Sequence, residues 1–329
     1  MGEKIWGAMV SDLRVLLIGP VTDLPRKVGG ATVSFGYLID DFRREGVNFR
    51  LVSTQHFDNS TLLNYGFVVI QVLRYLGWSN IVFLNTSRGG TAFLAPLLYL
   101  LAKIVRRKFV FRPFGGDIKD YVAHYGSLKK WIVHKTSLNA DLLFLQTRAL
   151  VNHYQQLGYR TEQLPTSRYT PSVALQQDER PFQKRFAFLG FIDATKGIGE
   201  LLSVADQLDD SYTVQAFGAI KDEKFAEEFT QRPGFYGGVL PREEVLATLR
   251  HFDVLVLPTY YGGEGYPGVI IEAYSIGLPV IATNWKAIPE IVEDGQTGLL
   301  IEPRSISALH EAVLTFNQDN YPALREKAG

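Results

Sequence analysis

Short apolar runs rich in β-branched residues alternate with stretches of helical periodicity along both halves of this chain. This alternation is typical of parallel sheets whose strands are joined by crossover helices. The sequence therefore predicts an α/β fold with one open parallel sheet in each half. The strands expected in the first half cover residues 14–19, 49–53, 80–84, 108–111 and 142–146. Those expected in the second half cover residues 185–190, 212–218, 253–258, 279–283 and 298–301.

The length of 329 residues exceeds what one hydrophobic core usually organises, and it therefore predicts two domains. We expect an N-terminal domain over residues 1–166 and a C-terminal domain over residues 182–329. Residues 167–181 contain Pro and Gln without an amphipathic period, which is typical of a linker. Open sheets bind ligands at the carboxyl ends of their strands, so two facing sheets predict a cleft.

The composition is that of an ordinary soluble protein, because 46% of the residues are hydrophobic and 21% are charged. The absence of cysteine excludes disulfides and thiolate metal sites. Together with a start that does not resemble a secretory signal, it predicts a cytoplasmic protein. The longest apolar run, residues 92–102, is interrupted by Pro96 and is far shorter than the ~20 residues that span a bilayer.

The neutral total charge hides an asymmetry between the two halves. Residues 1–165 carry 20 Lys and Arg against 11 Asp and Glu, and the rest of the chain carries 14 against 23, which gives +9 and −9. Opposite charges either help the two halves dock or give the first half a basic face for anionic lipid or an anionic acceptor. Nucleic acid is not expected as a partner, because no known binding motif accompanies the charge.

Three consecutive cations mark a candidate membrane contact in the first half. Arg106, Arg107 and Lys108 follow an apolar helix expected over residues 92–105. This arrangement suits either a helix that lies at a membrane interface or a buried helix with a basic cap. Both interpretations stay open at this point.

The most informative stretch lies between residues 253 and 283. There a strand, D-V-L-V-L-P, runs into the loop T-Y-Y-G-G-E-G-Y-P-G and then into the helix V-I-I-E-A-Y-S-I-G. Pro267 suits the first helical turn, and Gly277 followed by Pro279 ends the helix. A glycine-lined helix start lets backbone amides and the positive end of the helix dipole approach an anion. The stretch therefore predicts a phosphate or diphosphate site that needs no metal ion.

Two carboxylates flank this predicted phosphate site. Glu264 lies in the loop, and Glu272 lies eight residues later on the second turn of the helix. Carboxylates that faced a phosphate would repel it, so we expect both to accept hydrogen bonds from sugar hydroxyls. The predicted ligand is therefore a sugar nucleotide.

Two other interpretations of the glycines stay open. Gly263, Gly265 and Gly268 form a G-x-G-x-x-G pattern, as in a dinucleotide fingerprint. That fingerprint normally follows the first strand of its sheet, whereas this pattern follows several strands of the second half. The glycines also suit a turn that binds nothing, although a turn needs only one glycine with a positive φ.

At these residues the sequence resembles the retaining GT-B glycosyltransferases related to glycogen synthase, which are glycosyltransferase group 1, family four. The family's E-x7-E signature matches Glu264 and Glu272, and the later I-P-E-I-V-E-D-G-Q-T-G-L-L-I is equally typical. The resemblance implies that Glu264 is a catalytic residue acting on the transferred sugar and that Glu272 binds the nucleotide ribose. The other donor-binding residues that it implies here are Gly265, Tyr266, Pro267, Gly268 and Val269.

The resemblance extends to two further glycine-containing stretches. G-G-A-T-V-S-F-G-Y-L looks like the family's glycine turn over the donor diphosphate, here Gly29 and Gly30, although these residues also suit a plain helix start. G-F-I-D-A-T-K-G matches the family's G-R-x-x-x-x-K-G element, with Lys196 as its catalytic and donor-binding cation. The arginine of that element is Phe191 here, so either a neighbour supplies the second cation or turnover is modest.

A third stretch, F-R-P-F-G-G-D, lies where the family often carries a histidine before a glycine pair. The candidates for an acceptor or sugar site are therefore Arg112, Gly115, Gly116 and Asp117. The missing histidine leaves open which of the two ligands they contact.

Taken together, the resemblance implies a GT-B fold of two Rossmann-like domains, with the acceptor side in residues 1–166 and the nucleotide-sugar side in residues 182–329. The implied activity is retaining transfer of a sugar from a UDP- or GDP-linked donor to a glycan or lipid-linked acceptor in cell-surface polysaccharide synthesis. No cofactor is expected, and no metal ion either, since no D-x-D motif occurs. The basic half suggests peripheral contact with the inner face of an anionic membrane. A nucleotide-sugar epimerase and a catalytically weakened sugar-nucleotide-binding protein remain the alternatives.

Overall fold

A computed structural model describes residues 12–21, 29–56, 60–168 and 181–329 of the chain. The chain divides into two compact units, Met1–Ser167 and Arg168–Gly329, here called unit 1 and unit 2. Each unit contains one sheet whose neighbouring strands pair in parallel. Of the linker expected over residues 167–181, residues 169–180 lie outside the described residues.

The described part of unit 1 forms a six-stranded sheet with helices between its strands. The strands are β1 Arg14–Gly19, β2 Asn48–Ser53, β3 Ile81–Thr86, β4 Lys108–Pro113, β5 Leu142–Leu145 and β6 Thr161–Gln163. The helices are α1 Gly30–Arg44, α2 Thr61–Leu76, α3 Arg88–Ala92, α4 Leu94–Ile104, α5 Ile118–Ala123, α6 Ser127–Lys135 and α7 Arg148–Gln156. The spatial order is β2-β1-β3-β4-β5-β6, so the winding reverses between β1 and β3, where open sheets bind ligands.

The described part of unit 2 forms a five-stranded sheet on the same plan. The strands are β7 Arg185–Leu189, β8 Thr213–Phe217, β9 Val254–Leu257, β10 Val280–Thr283 and β11 Gly298–Ile301. The α-helices are α8 Ile198–Ala205, α9 Lys224–Thr230, α10 Val245–Leu249, α11 Gly268–Tyr274, α12 Ile306–Thr315 and α13 Tyr321–Ala328. Because the order is β11-β10-β9-β7-β8, the winding reverses between β7 and β9.

The central strands are apolar on both faces because helices cover both faces of each sheet. In β1, Leu16 and Ile18 pack into the core shared with α2 and α4, whereas Val15 and Leu17 pack against α1. All four residues of β9 are buried. Burial on both faces explains why these strands appear in the sequence as continuous apolar runs.

All ten strands expected from the sequence are present, and their ends differ from the expected ends by at most two residues. The sequence analysis missed β6, a three-residue edge strand with the polar sequence T-E-Q. The apolar helix expected from residue 92 begins only at Leu94, after a break at Phe93. Pro96 explains the break, because its missing N–H is harmless in the first turn of a helix but not in a helix interior.

Gly197 allows the chain after β7 to lie directly against the chain after β9. Its φ is +75°, and a Cβ at this position would lie 2.2 Å from the carbonyl oxygen of Pro258. The backbone amide of Tyr260 donates to the carbonyl of Thr195 at 2.8 Å across the same contact. Glycine is therefore required here, both for its left-handed backbone and for the close approach of the two segments.

Replacing Gly197 by alanine should lower the free energy of unfolding of unit 2 by about 2 kcal/mol or more. The left-handed backbone alone costs an L-residue about 1–2 kcal/mol, and the Pro258 carbonyl must also move. Gly199→Ala is the matched control, because a Cβ at Gly199 meets nothing within 4 Å and alanine favours the helix. Urea unfolding followed by circular dichroism measures both variants, and equal losses of stability would contradict this account.

Candidate active site

The candidate site lies in unit 2, at the carboxyl ends of β7 and β9, where the winding of the sheet reverses. The chain after β7 forms a short 3₁₀ helix, Ala194–Lys196, in which Asp193 accepts a hydrogen bond from the amide of Thr195 at 2.8 Å. The chain after β9 forms the loop over residues 258–267 that leads into α11. The reversal of winding thus brings the two predicted motifs together.

Lys196 and Glu264, the two predicted catalytic residues, form an ion pair. The ammonium of Lys196 donates to Oε2 of Glu264 at 2.6 Å, and the two side chains are only 16% and 10% exposed. The Lys196 ammonium also lies 4.8 Å from the centre of the Tyr261 ring. The site therefore holds a lysine cation and a carboxylate side by side in a largely water-excluded position.

Thr259 holds the Glu264 carboxylate from the other side. Its hydroxyl donates to the same Oε2 atom at 2.8 Å, and Thr259 is fully buried. The carbonyl of Thr259 accepts from the hydroxyl of Thr283 on β10, while Trp285 donates to the carbonyl of Tyr261 at 2.8 Å. Thr259 was not identified as a site residue from the sequence, because its position just after β9 is the only feature that points to such a role.

The start of α11 differs slightly from the expected one. Pro267 was placed in the first helical turn, but it is the N-cap residue with extended backbone, and the helix begins at Gly268. Gly265 and Pro267 are buried, whereas Tyr266, Gly268 and Val269 are half-buried. The first amides of a helix have no acceptor within the helix, so the predicted anion contact at Gly268 and Val269 stays a prediction that this geometry permits.

Glu272 is paired with an arginine that the sequence analysis did not identify. Nε of Arg168 donates to Oε1 of Glu272 at 2.6 Å, with side chains 5% and 13% exposed. A Cβ on Gly268 would lie 1.7 Å from Nη2 of Arg168, so the guanidinium covers the helix face that Gly268 and Glu272 share. Burial raises the pKa of Glu272, and the positive charges of Arg168 and Arg242 oppose that rise. The predicted ribose contact of Glu272 stays a prediction.

Four of the predicted site residues of unit 1 lie at or just after the carboxyl end of β4. Arg112 is 2% exposed, and its guanidinium donates to the carbonyls of Leu164 and Pro165, both at 3.4 Å. The amide of Gly115, which has a φ of +100°, donates to Oε1 of Gln146 at 3.0 Å. Gly116 follows in the turn, and Asp117 is the N-cap residue of α5. Their contact with a sugar or an acceptor stays a prediction.

A neighbouring residue in unit 1 adds to this polar group. Asn85 on β3 is in register with Arg112 and fully buried, and its side-chain amide has no hydrogen-bond partner among the described residues. Buried polar groups normally have a partner. The carboxyl end of this sheet therefore has unused hydrogen-bonding capacity.

Gly29 and Gly30 lie at the start of α1, immediately after a segment, residues 22–28, that is outside the described residues. Gly29 is the N-cap residue with extended backbone, and its carbonyl accepts from the amide of Val33 at 3.0 Å. A Cβ on Gly30 would meet no atom within 4 Å. Packing within the described residues therefore does not require glycine at position 30, and the predicted donor contact stays a prediction.

Two further findings concern metals and membranes. In the described ranges, no three His, Asp or Glu side chains converge as a metal site would require. None of the described helices combines the length and the apolar composition needed to cross a bilayer.

Sequence comparisons match part of this chain to known glycosyltransferases. Residues 183–319 match the family described as "Glycosyl transferases group 1". A Bacillus subtilis relative, TuaC, named as a teichuronic acid biosynthesis glycosyltransferase, is 28% identical over 222 residues. That match covers 64% of this chain and 55% of TuaC, so the chain spans about half the length of this relative.

Solved structures resemble the whole chain. Sucrose-phosphate synthase from Thermosynechococcus elongatus has a TM-score of 0.71 at 16% identity, covering 95% of this chain and 94% of the other. Anabaena HepE in complex with UDP and glucose has a TM-score of 0.69 at 16% identity, covering 96% and 93%. These likenesses concern the fold, and they confirm the expected GT-B fold class with two parallel-sheet α/β domains.

Breaking the Lys196–Glu264 pair from one side should destabilise unit 2 more than removing both charges. A single replacement leaves one largely buried charge without its partner, so Lys196→Met should lower the free energy of unfolding by roughly 2–4 kcal/mol. Adding Glu264→Gln should recover part of that loss. Lys224→Met, which breaks an exposed pair with Asp222, is the control and should cost less than about 1 kcal/mol. Urea unfolding measures all three, and additive losses in the double variant would refute the coupling.

Proposed function

We propose that this chain, which carries a glycosyl transferases group 1 domain over residues 183–319, is a glycosyltransferase that uses a nucleotide-diphosphate sugar as donor. The observation that carries the proposal is the Lys196–Glu264 ion pair, which joins the turn after β7 to the loop between β9 and α11. Glu264 lies in that loop, shortly before the start of the helix. Such a position suits a ligand that has both an anionic diphosphate and a sugar.

The pair matches the charges that develop when a donor loses its diphosphate. As the bond between the anomeric carbon and the phosphate oxygen breaks, the sugar gains positive charge and the leaving group gains negative charge. Glu264 would stabilise the sugar, and Lys196 together with the amides at Gly268 and Val269 would stabilise the diphosphate. Opposite charges fixed 2.6 Å apart therefore match a transition state in which positive charge develops on the sugar, rather than the intact donor, whose sugar is uncharged.

We propose that the transfer retains the anomeric configuration and needs no metal ion. In a front-face reaction, the acceptor oxygen bonds to the anomeric carbon while the bond to the phosphate breaks, and the acceptor proton passes to a phosphate oxygen. Lys196 and the helix amides supply positive charge that a metal ion provides in other transferases, and the sequence lacks a D-x-D motif. The donor is a UDP- or GDP-sugar.

The acceptor is proposed to be a glycan or a lipid-linked precursor of a cell-surface polysaccharide. The name of TuaC supports this class, since it refers to teichuronic acid biosynthesis. The polar group at Arg112, Asn85 and Gly115 in unit 1 supports an additional sugar contact, because it combines a buried guanidinium with a buried amide that lacks a partner among the described residues.

An apolar patch on unit 1 supports peripheral contact with an anionic membrane. Helices α2, α4 and α6 lie on one side of the sheet, since their inner faces share one core. Their outer faces nevertheless expose large apolar side chains, up to 84% exposed at Leu62. The patch consists of Leu62, Leu63, Ile70 and Leu73 on α2, Phe93, Leu97, Leu100 and Ile104 on or beside α4, and Leu128 and Trp131 on α6.

Cations accompany the apolar patch. Lys129 lies 4.8 Å from the centre of the Phe93 ring, and Arg74 and Arg106 are exposed at the carboxyl-terminal ends of α2 and α4. Apolar side chains that insert among headgroups and cations that meet anionic lipids are the two components of interfacial binding. The net charge of +9 in residues 1–165 favours an anionic surface as the partner.

The proposed activity is tested by identifying the donor and then measuring the products of the reaction. A panel of UDP- and GDP-sugars is screened by thermal shift, because a bound donor raises the melting temperature. The donor found is then incubated with lipid-linked oligosaccharide acceptors, and nucleoside diphosphate release and the glycosylated product are measured. Conversion of the donor into another nucleotide sugar would support an epimerase instead. Donor binding with no transfer to any acceptor would support the weakened binding protein.

Glu264→Gln should lower kcat by roughly a hundredfold, about 2.7 kcal/mol, and leave donor affinity nearly unchanged. The reason is that the amide keeps the shape of Glu264 but cannot stabilise positive charge on the sugar. Glu311→Gln, an exposed change on α12, is the matched control and should turn over like the parent. Steady-state kinetics decide the matter, and a Glu264→Gln enzyme with parental kcat would refute a catalytic role for this residue.

The membrane proposal predicts salt-sensitive binding to phosphatidylglycerol vesicles and weaker binding to phosphatidylcholine vesicles. Leu100→Glu together with Ile104→Glu should reduce cosedimentation severalfold, because the new charges must enter the interface. Leu314→Glu, at a 48% exposed position on α12 in unit 2, is the control. Equal binding to both lipids, or equal binding by the patch and control variants, would argue against the proposal.

A further inference from the structure

We propose that Arg168 is a positioning residue of the donor site, which holds the Glu272 carboxylate in place as a charged acceptor for the hydroxyls of the nucleotide. This inference rests on the proposed function and adds to it a residue outside the E-x7-E signature. Arg168 lies 104 positions before Glu272 in the sequence, at the start of unit 2.

Direct contact with Arg168 fixes the orientation of the Glu272 carboxylate. The Arg168 side chain is 5% exposed and donates from Nε to Oε1 of Glu272 at 2.6 Å. A charge-assisted hydrogen bond this short fixes the direction of the carboxylate. A carboxylate has about four acceptor sites in total, so one bond through Oε1 leaves capacity for two ligand hydroxyls.

Gly268 provides the space in which the Arg168 guanidinium lies. The sequence analysis assigned this glycine to close approach of a phosphate, but its missing side chain is where the Arg168 guanidinium lies, with Nη2 1.7 Å from the position of a Cβ. Gly268 and Glu272 are four residues apart and therefore share one face of α11. The helix thus provides both the space and the counter-charge for this arginine.

The positive charge of Arg168 also acts on the pKa of Glu272. Burial raises the pKa of Glu272, whereas Arg168, by charge and by hydrogen bond, and Arg242, by charge alone, lower it. Among the described residues, these two arginines are the charged groups that act on Glu272, one at the start of unit 2 and the other in the 3₁₀ helix Arg242–Glu244. Arg168 therefore favours the ionised form of this buried carboxylate, and the ionised form accepts from hydroxyls most strongly.

The consequence is a donor affinity that depends on pH through Glu272. As pH falls through the raised pKa of Glu272, the carboxylate takes up a proton and loses its full acceptor strength. Removing Arg168 removes the largest opposing influence on that pKa, so the loss of affinity should begin at a higher pH than in the parent.

Isothermal titration of the full chain with UDP and GDP, from pH 6 to pH 8.5, tests the proposal. Arg168→Gln should raise the Kd of the nucleotide that binds the parent by about tenfold or more near pH 6, with a smaller increase at pH 8.5. Arg168→Lys should restore part of the affinity. Arg232→Gln, which breaks the exposed pair with Asp206, is the matched control and should keep the parental Kd at every pH.

A second measurement covers the case in which Arg168→Gln does not fold. The variant Arg168→Gln with Glu272→Gln replaces both buried charges, and it should fold and bind weakly with no pH dependence in this range. Arg168 variants that bind the nucleotide as tightly as the parent, or more tightly, would overturn the proposal, and tighter binding would identify Arg168 as a plug. If the parent binds neither UDP nor GDP, the proposed function fails first, and the two failures are thereby distinguished.

Discussion

A buried ion pair between Lys196 and Glu264 is the contact on which the local structure of unit 2 depends. Parallel pairing puts the carboxyl ends of the strands at one edge, and the reversal of winding between β7 and β9 brings the two residues to the same place. Gly197 then permits direct contact between the segments, and Thr259 fixes the carboxylate. All of these contacts are within the protein, so the site is organised before any ligand arrives.

Most of the strands were predictable because their burial leaves a clear apolar signal, whereas the polar edge strand β6 was missed because it has none. The resemblance to a known family indicated Lys196 and Glu264 in the sequence, and the structure brings their side chains together. Arg168 was not indicated, since its pairing with Glu272 joins residues 104 positions apart. The guanidinium of Arg112 donates to the carbonyls of Leu164 and Pro165, contacts that its motif position did not indicate, and its contact with a sugar or an acceptor stays a prediction.

The charge of unit 2 appears at first to contradict an anionic ligand, because the chain after residue 165 has a net charge of −9. The described geometry resolves this at short range. Lys196 and Arg168 contact the two signature glutamates at 2.6 Å, and the positive charge of Arg242 also acts on Glu272. Near the site these cations act more strongly than acids that are spread over the surface. The net negative charge of unit 2 repels phosphates at long range, whereas the cations attract them only close to the site. Nonspecific binding of phosphates elsewhere on unit 2 is therefore disfavoured.

The contact at Gly197 also has a consequence for redesigning this protein. Because the turn after β7 lies against the Pro258 carbonyl with no room for a side chain, the backbone around Lys196 cannot shift independently of the loop that carries Glu264. A library that aims at a new donor should therefore keep residue 197 fixed and diversify positions that have space, such as Gly30 or Gly262, where a Cβ meets no atom of the described residues within 4 Å. Two segments that are distant in sequence must therefore be kept together when the site is redesigned.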